Sequence, residues 1–189
     1  MKLEEISDVM IGILSKREND ENGEKSYFLF SLKNYEENQN YETLKTNKNI
    51  SEKLAREGDL LFRLLYPNKI IYVDKTLEGM LIPSQFCIIR AQKEKIDPIV
   101  LKWYLESEKI TKELETRLTG SIIKNMSIAD LKTIDIPFIS IKEQQNMREL
   151  IIAWEKEKEI TKNILKEKEK LYNFYLEKII KKGEEHFEN

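Results

Sequence analysis

The chain of 189 residues carries 32 basic and 34 acidic side chains, a formal net charge of −2, with 40% of residues hydrophobic and 35% charged. That apolar share supports a packed core and excludes a wholly disordered chain, while the near balance of charge excludes an obviously basic protein; no apolar run approaches the roughly 20 residues of a membrane span. A single cysteine, Cys87, excludes an internal disulfide, and with an N-terminus that lacks the pattern of a secretory signal it points to the cytoplasm.

Ile6 to Leu14 is apolar and β-branched, suited to a strand or one turn of helix, and Glu18 to Gly23 is a polar loop. Tyr27 to Leu32 reads as a strand. Asn34 to Asn49 is a polar, Asn-rich insertion with Tyr35 and Tyr41 interspersed, too poor in apolar residues to be core. A short helix is expected over Asn49 to Arg56, a buried strand over Asp59 to Leu65, and further strands over Ile70 to Val73 and Ser84 to Ala91. Asp97-Pro98 then opens a helix, because aspartate suits the cap and proline the first helical position. Ile99, Leu101, Trp103, Tyr104, Leu105, Ile110, Leu114 and Leu118 give that helix a broad apolar face, with Trp103 in the core and Lys95, Lys109 and Lys112 on the solvated side. Ser127 and Asp130 form a capping signature before a short helix, Ile134 to Ile136 alternates and halts at Pro137, and Ser140 with Glu143 caps a last helix. The fold class expected is α+β: a small, mostly antiparallel twisted sheet with peripheral helices over residues 1–140, a long helix over 141–182 and a tail over 183–189.

The block from Leu118 to Leu150 closely resembles the end of a target-recognition domain in the specificity (S) subunits of type I restriction-modification systems, where G-S-x-I-K-x-[LM]-S-x-x-D-L-x-x-I-x-I-P leads through E-Q into a coiled-coil helix. The matching residues are Gly120, Ser121, Ile123, Lys124, Met126, Ser127, Asp130, Leu131, Ile134, Ile136, Pro137, Glu143 and Gln144. Glu57 to Leu61 resembles the G-D-[IL]-[LI] strand entry of that family, and Pro98 to Leu105 its P-x-[FYV]-[LV]-x-x-[YW]-L helix. An S subunit usually holds two recognition domains, each followed by a helical region, whereas this length suits one of each. The resemblance therefore implies a half-length form that pairs with a second copy, reads double-stranded DNA, and docks methyltransferase subunits and through them the restriction subunit.

The last helix carries the assembly argument. A stripe at the 3.5-residue spacing of a coiled coil runs through Met147, Leu150 or Ile151, Trp154, Ile164 or Leu165, Leu171 or Tyr172, Tyr175 and Ile179, interrupted near Glu157, Thr161 and Lys168. At 1.5 Å per residue this helix is roughly 60 Å long and has to find a partner for its far half. Antiparallel pairing would set two recognition domains at opposite ends of a two-fold rod, facing a palindromic, bipartite site. The alternative is a monomer whose helix folds back as a hairpin around Lys156 to Lys162.

Residues 1 to 57 hold 9 basic and 12 acidic side chains, residues 58 to 141 hold 12 and 11, and residues 142 to 189 hold 11 and 11. A DNA-facing surface therefore has to be sorted by folding, and phosphate neutralisation is expected to fall mainly to the methyltransferase partners. Base reading uses Arg, Lys, Asn and Gln. The candidates are Lys33, Asn34, Asn38, Gln39, Asn40, Lys45 and Lys48 in the insertion, Arg63, Asn68 and Lys69 around Pro67, and Ser121 with Lys124 at the glycine turn. No catalytic residue, metal site or cofactor is expected, since His186 is the only histidine and no glycine-rich phosphate loop occurs. A rival reading from another class is a scaffold or decoy that binds restriction-modification subunits without reading DNA.

Overall fold

The computed structural model of the chain describes residues 1–15, 20, 22–117 and 125–187, with side chains as far as 181. Two compact units divide it, Met1–Arg148 and Glu149–Asn189. The first is α+β. In chain order it holds α1 (Leu3–Ile6), β1 (Ser7–Ile11), β2 (Lys25–Phe28), α2 (Leu32–Glu37), β3 (Thr43–Thr46), a 3-10 turn (Ser51–Lys53), β4 (Leu60–Arg63), β5 (Ile70–Tyr72), β6 (Phe86–Ala91), α3 (Pro98–Leu105), α4 (Glu108–Arg117) and α5 (Ile128–Lys132). The first turns of α6 (Ile141–Phe187) belong to this unit, and the rest of α6 is the second.

β1, β6, β4 and β5 form an antiparallel sheet in that order, and β2 with β3 forms a separate antiparallel ribbon. Alternation sorts the sheet residues onto two faces, both covered. Leu61, Ile71, Phe86 and Ile88 join Phe30, Val73, Leu77 and Ile82 in one cluster. Leu60, Phe62, Cys87 and Ile89 lie on the other face and are equally buried, and α3 packs against β5 and β6. Ile134 and Ile136 pair with the N-terminus: Leu3 N–H donates to Ile134 O at 3.0 Å and Ile136 N–H to Met1 O at 2.8 Å. Pro137, which has no N–H, ends that pairing.

Four expected elements differ in the structure. The strand expected through Leu32 stops at Phe28, because Ser31 takes the cap of α2 with its hydroxyl accepting from Asn34 N–H. The insertion at 34–49 is not devoid of core: Leu44 and Thr46 of β3 are buried, and Phe30 sits 6.3 Å from the Tyr41 ring and 5.1 Å from Phe86. The helix expected over Asn49 to Arg56 is only a 3-10 turn. The helix begun at Pro98 breaks at Glu106-Ser107, where Ser107 O accepts from Thr111 and starts α4; Trp103 is 41% exposed rather than core. Of the loop expected over Glu18 to Gly23, Asp20, Asn22 and Gly23 are described and form a turn, with Gly23 N–H donating to Asp20 O at 2.8 Å, and the glycine turn at Thr119 to Ser121 lies outside the described residues.

The Ser140–Glu143 capping box forms as its spacing requires, with Glu143 N–H donating to Ser140 Oγ and Ser140 N–H to Glu143 Oε2 at 3.0 Å. Gln144, one residue on, is 3% exposed and makes three bonds: Nε2 donates to Lys95 O and Ile139 O, and Oε1 accepts from Asp97 N–H at 2.7 Å. Asp97 in turn caps α3 through Ile99 N–H and pairs with Arg148 at 2.8 Å. The start of α6 is thus bolted to the globular unit by polar groups that are fully used. From there α6 continues unbroken through Lys156 to Lys162, which removes the hairpin alternative, and it runs past Lys182 to Phe187. No described helix is long and apolar enough to cross a membrane.

Candidate nucleic-acid interface

β2, α2 and β3 form one excursion from the sheet. It is tied down by Leu29, which bridges Leu81, and by Leu44, which packs with Ile13, Ile50 and Leu81. Seven sequence-predicted contacts lie on it. Lys33, Asn38, Gln39, Asn40, Lys45 and Lys48 are exposed, whereas Asn34 is half-buried and donates from Nδ2 to Asn40 O at 2.5 Å, closing the loop after α2. Asn38 sits at φ 52, the left-handed conformation that asparagine tolerates at a helix end.

The second group lies on the β4–β5 turn, which contains a cis Tyr66-Pro67 bond. Asn68 spends its amide on the turn itself, donating to Arg63 O at 2.9 Å and Leu64 O at 3.2 Å, and Arg63 Nη1 reaches Pro67 O. Asn34 and Asn68 are therefore positioning residues for their loops. Lys69 forms an ion pair with Glu36 of α2, 33 residues away in sequence, so the two groups meet on one side of the globular unit. Beside the turn lies a cleft of about 290 Å³ lined by Tyr66, Asn68, Lys69, Leu105 and Leu114. Ser121 and Lys124 lie outside the described residues.

On the outer face of the ribbon, sequence reasoning named Lys45 and missed Ser26, Phe28 and Thr43. Register pairs Ser26 with Lys45 and Phe28 with Thr43, and all four are exposed, Phe28 at 58%. The signal was present as the alternation Lys25-Ser26-Tyr27-Phe28, in which Tyr27 turns inward and Phe28 outward. Elsewhere the polar groups serve structure. Asp59, 2% exposed, is held by Arg90 through paired bonds of 2.8 and 2.7 Å and accepts from Arg56 N–H, and the bond to Asp59 raises the Arg90 pKa further. Burial pushes the Cys87 thiol up to about 12. Among the described residues no group of three or more His, Cys, Asp or Glu side chains could hold a metal ion.

In the second unit every described residue from Ile152 to Lys181 is exposed, including Trp154, Ile164, Leu165, Leu171, Tyr172, Tyr175 and Ile179 of the expected seam. At the start of that seam Leu150 is exposed, Met147 half-buried and Ile151 only 9% exposed. Lys158 lies 4.7 Å over the Trp154 ring and Lys178 4.9 Å over Phe174. Phe174, Leu176 and Ile180 are exposed as well and lie off the seam.

The α+β unit and the helix that follows it share their fold with type I restriction-modification specificity subunits of known structure. The chain is similar to the HsdS subunit from Thermoanaerobacter tengcongensis (TM-score 0.62, 20% identity, 85% of this chain and 43% of that one). It is also similar to a chain from the structure describing complex assembly and conformational transition of the type I R-M system (TM-score 0.62, 19% identity, 87% and 43%). A third likeness is to the type I restriction-modification system S subunit from M. genitalium (TM-score 0.51, 17% identity, 82% and 38%). The chain thus spans less than half the length of each of these structures. No family model matches the sequence, and no curated protein does.

Proposed function

We propose that the chain is a non-catalytic DNA-specificity subunit of a type I restriction-modification system, in which residues 1–140 read one half of a bipartite site and α6 joins two copies and docks methyltransferase subunits. The observation that carries this reading is the fold shared with the HsdS subunits over more than four-fifths of the chain, together with an interrupted apolar stripe left exposed along about thirty residues of α6. An exposed stripe of that length is an association surface, since a helix of this kind draws its stability from packing. Seven of the ten residues from Leu171 to Ile180 are apolar or aromatic. At 100° per residue they cover about two-thirds of the helix circumference, more than one coiled-coil partner would bury. A second copy along the seam and a methyltransferase subunit against Phe174, Leu176 and Ile180 would together cover it.

Two identical recognition domains related by a two-fold axis read inverted copies of one sequence, so the homodimer implies a palindromic split target. Co-expression with a type I methyltransferase subunit of its host, followed by sequencing of the modified bases, tests the reading. Methylation at a defined palindromic bipartite sequence is the expected result. Absence of methylation overturns the reading, and suppression of methylation already present would instead favour a decoy that binds the methyltransferase without reading DNA.

A further inference from the structure

We infer that the outer face of the β2–β3 ribbon is a base-reading surface inserted in the major groove, with Phe28 against a thymine methyl group or the edge of its base step and Lys45, Ser26 and Thr43 as its polar contacts. The inference rests on the DNA-specificity reading above and narrows it to four side chains. They are neighbours by register, Ser26 opposite Lys45 and Phe28 opposite Thr43, and all are exposed. The inner face of the same ribbon is spent on packing, with Leu44 buried against Ile13, Ile50 and Leu81 and Tyr27 beside them. Among the described residues the ribbon thus packs by its inner face, with the edge of β3 held by Asp20 N–H donating to Lys45 O at 2.8 Å.

Phe28 has no structural reason to face outward. Its neighbours Phe30 and Leu44 are buried to 1% and 3%, whereas Phe28 leaves 58% of its surface in water on a strand whose alternation could have placed a polar residue there. The occupant is identified by the chemistry around it. The eight ribbon residues include Lys25 and Lys45 and no carboxylate, Glu24 and Glu42 flank them at the strand ends, and Lys45 is the one formal charge on the outer face itself. A two-stranded ribbon fits a major groove about 12 Å wide, where an apolar side chain meets the thymine C5 methyl, a lysine meets guanine acceptors and hydroxyls meet either kind of edge. A protein partner would be expected to bury a larger apolar patch than one phenylalanine among two hydroxyls and an ammonium group.

The test uses the full chain in complex with its methyltransferase subunit acting on a library of duplexes randomised around the methylated site. Phe28→Ala is expected to relax base preference at one position of each half-site by about tenfold, and Thr43→Val to relax an adjacent position, with the rest of the motif kept. Replacing thymine by uracil at the position relaxed by Phe28→Ala is expected to slow the wild-type complex and leave the variant unaffected, a coupling that mere loss of packing would not produce. Thermal unfolding of both variants checks that the domain is intact. If Phe28→Ala and Thr43→Val both keep the wild-type preference at every position, the ribbon does not read bases, although the specificity reading stands. If the wild-type chain directs no methylation, both fall together.

Discussion

Gln144 shows how a single side chain can fix a junction. Its amide satisfies Lys95 O, Ile139 O and Asp97 N–H at once, and it is almost fully buried. Gln144→Ala leaves three backbone groups without their partner, each costing about 1–3 kcal/mol if water cannot reach it. A loss of about 3 kcal/mol is expected, read as a lower urea midpoint with an unchanged slope. Cys87 illustrates the opposite case, a buried thiol whose contact with Ile88 O at 3.8 Å is a weak one. With its thiol pushed up to about 12 by burial, it is expected to resist iodoacetamide at pH 8 in the folded protein and to react once denaturant is added. The carboxylate of Glu143 is held below its ordinary range, chiefly by the Ser140 hydroxyl and then by the Ser140 N–H. A depressed carboxylate stabilises the fold above its unfolded-state pKa and loses that contribution as pH falls through the folded value. Ser140→Ala is therefore expected to be destabilising at neutral pH, with the difference from wild type shrinking below the ordinary carboxylate range in parallel acid-unfolding curves.

At the scale of elements, the sequence was most readable where the signal is local. Asp97-Pro98, Ser127 with Asp130, and Ser140 with Glu143 are caps whose donors and acceptors lie within three residues, and each forms in the structure. The edge pairing of Ile134 to Ile136 followed from alternation and a proline. The ribbon was obscured because its placement is decided by tertiary contacts: Phe30 reaches Tyr41 and Phe86, and Leu29 reaches Leu81, partners that no local pattern supplies. The candidate site was legible as a list of residue types and not as geometry. Nothing in the sequence distinguishes Lys33, which is exposed, from Asn34 and Asn68, whose amides close their own loops. For α6 the apolar spacing alone pointed to a partner. Tyr172→Glu with Tyr175→Glu would place two carboxylates in the proposed seam, where burying an unpaired charge is prohibitive. Light scattering is expected to report a monomer for this double variant and a dimer for the wild type, with the helix content of the globular unit retained in both.

For the whole molecule in the proposed homodimer, the direction in which two α6 helices would run decides what DNA the proposed assembly could read. The seam has apolar ends, Met147 to Trp154 and Leu171 to Ile179, separated by a middle in which Glu157, Thr161 and Lys168 flank Ile164 and Leu165. An antiparallel pair centred near residue 163 would set Met147 against Ile179 and Trp154 against Tyr172, joining unlike ends and carrying the two recognition domains apart. A parallel pair would set Trp154 against its own copy and crowd both domains at one end of the rod. Cysteines placed in the seam separate the two arrangements, since the native Cys87 is buried and does not compete. Under mild oxidation Trp154→Cys alone is expected to give little crosslinked dimer, while Trp154→Cys combined with Tyr172→Cys gives a dimer in high yield. Efficient crosslinking of Trp154→Cys by itself would establish the parallel arrangement. Both recognition domains would then sit at the same end of the rod, and a target split across its length would be out of reach.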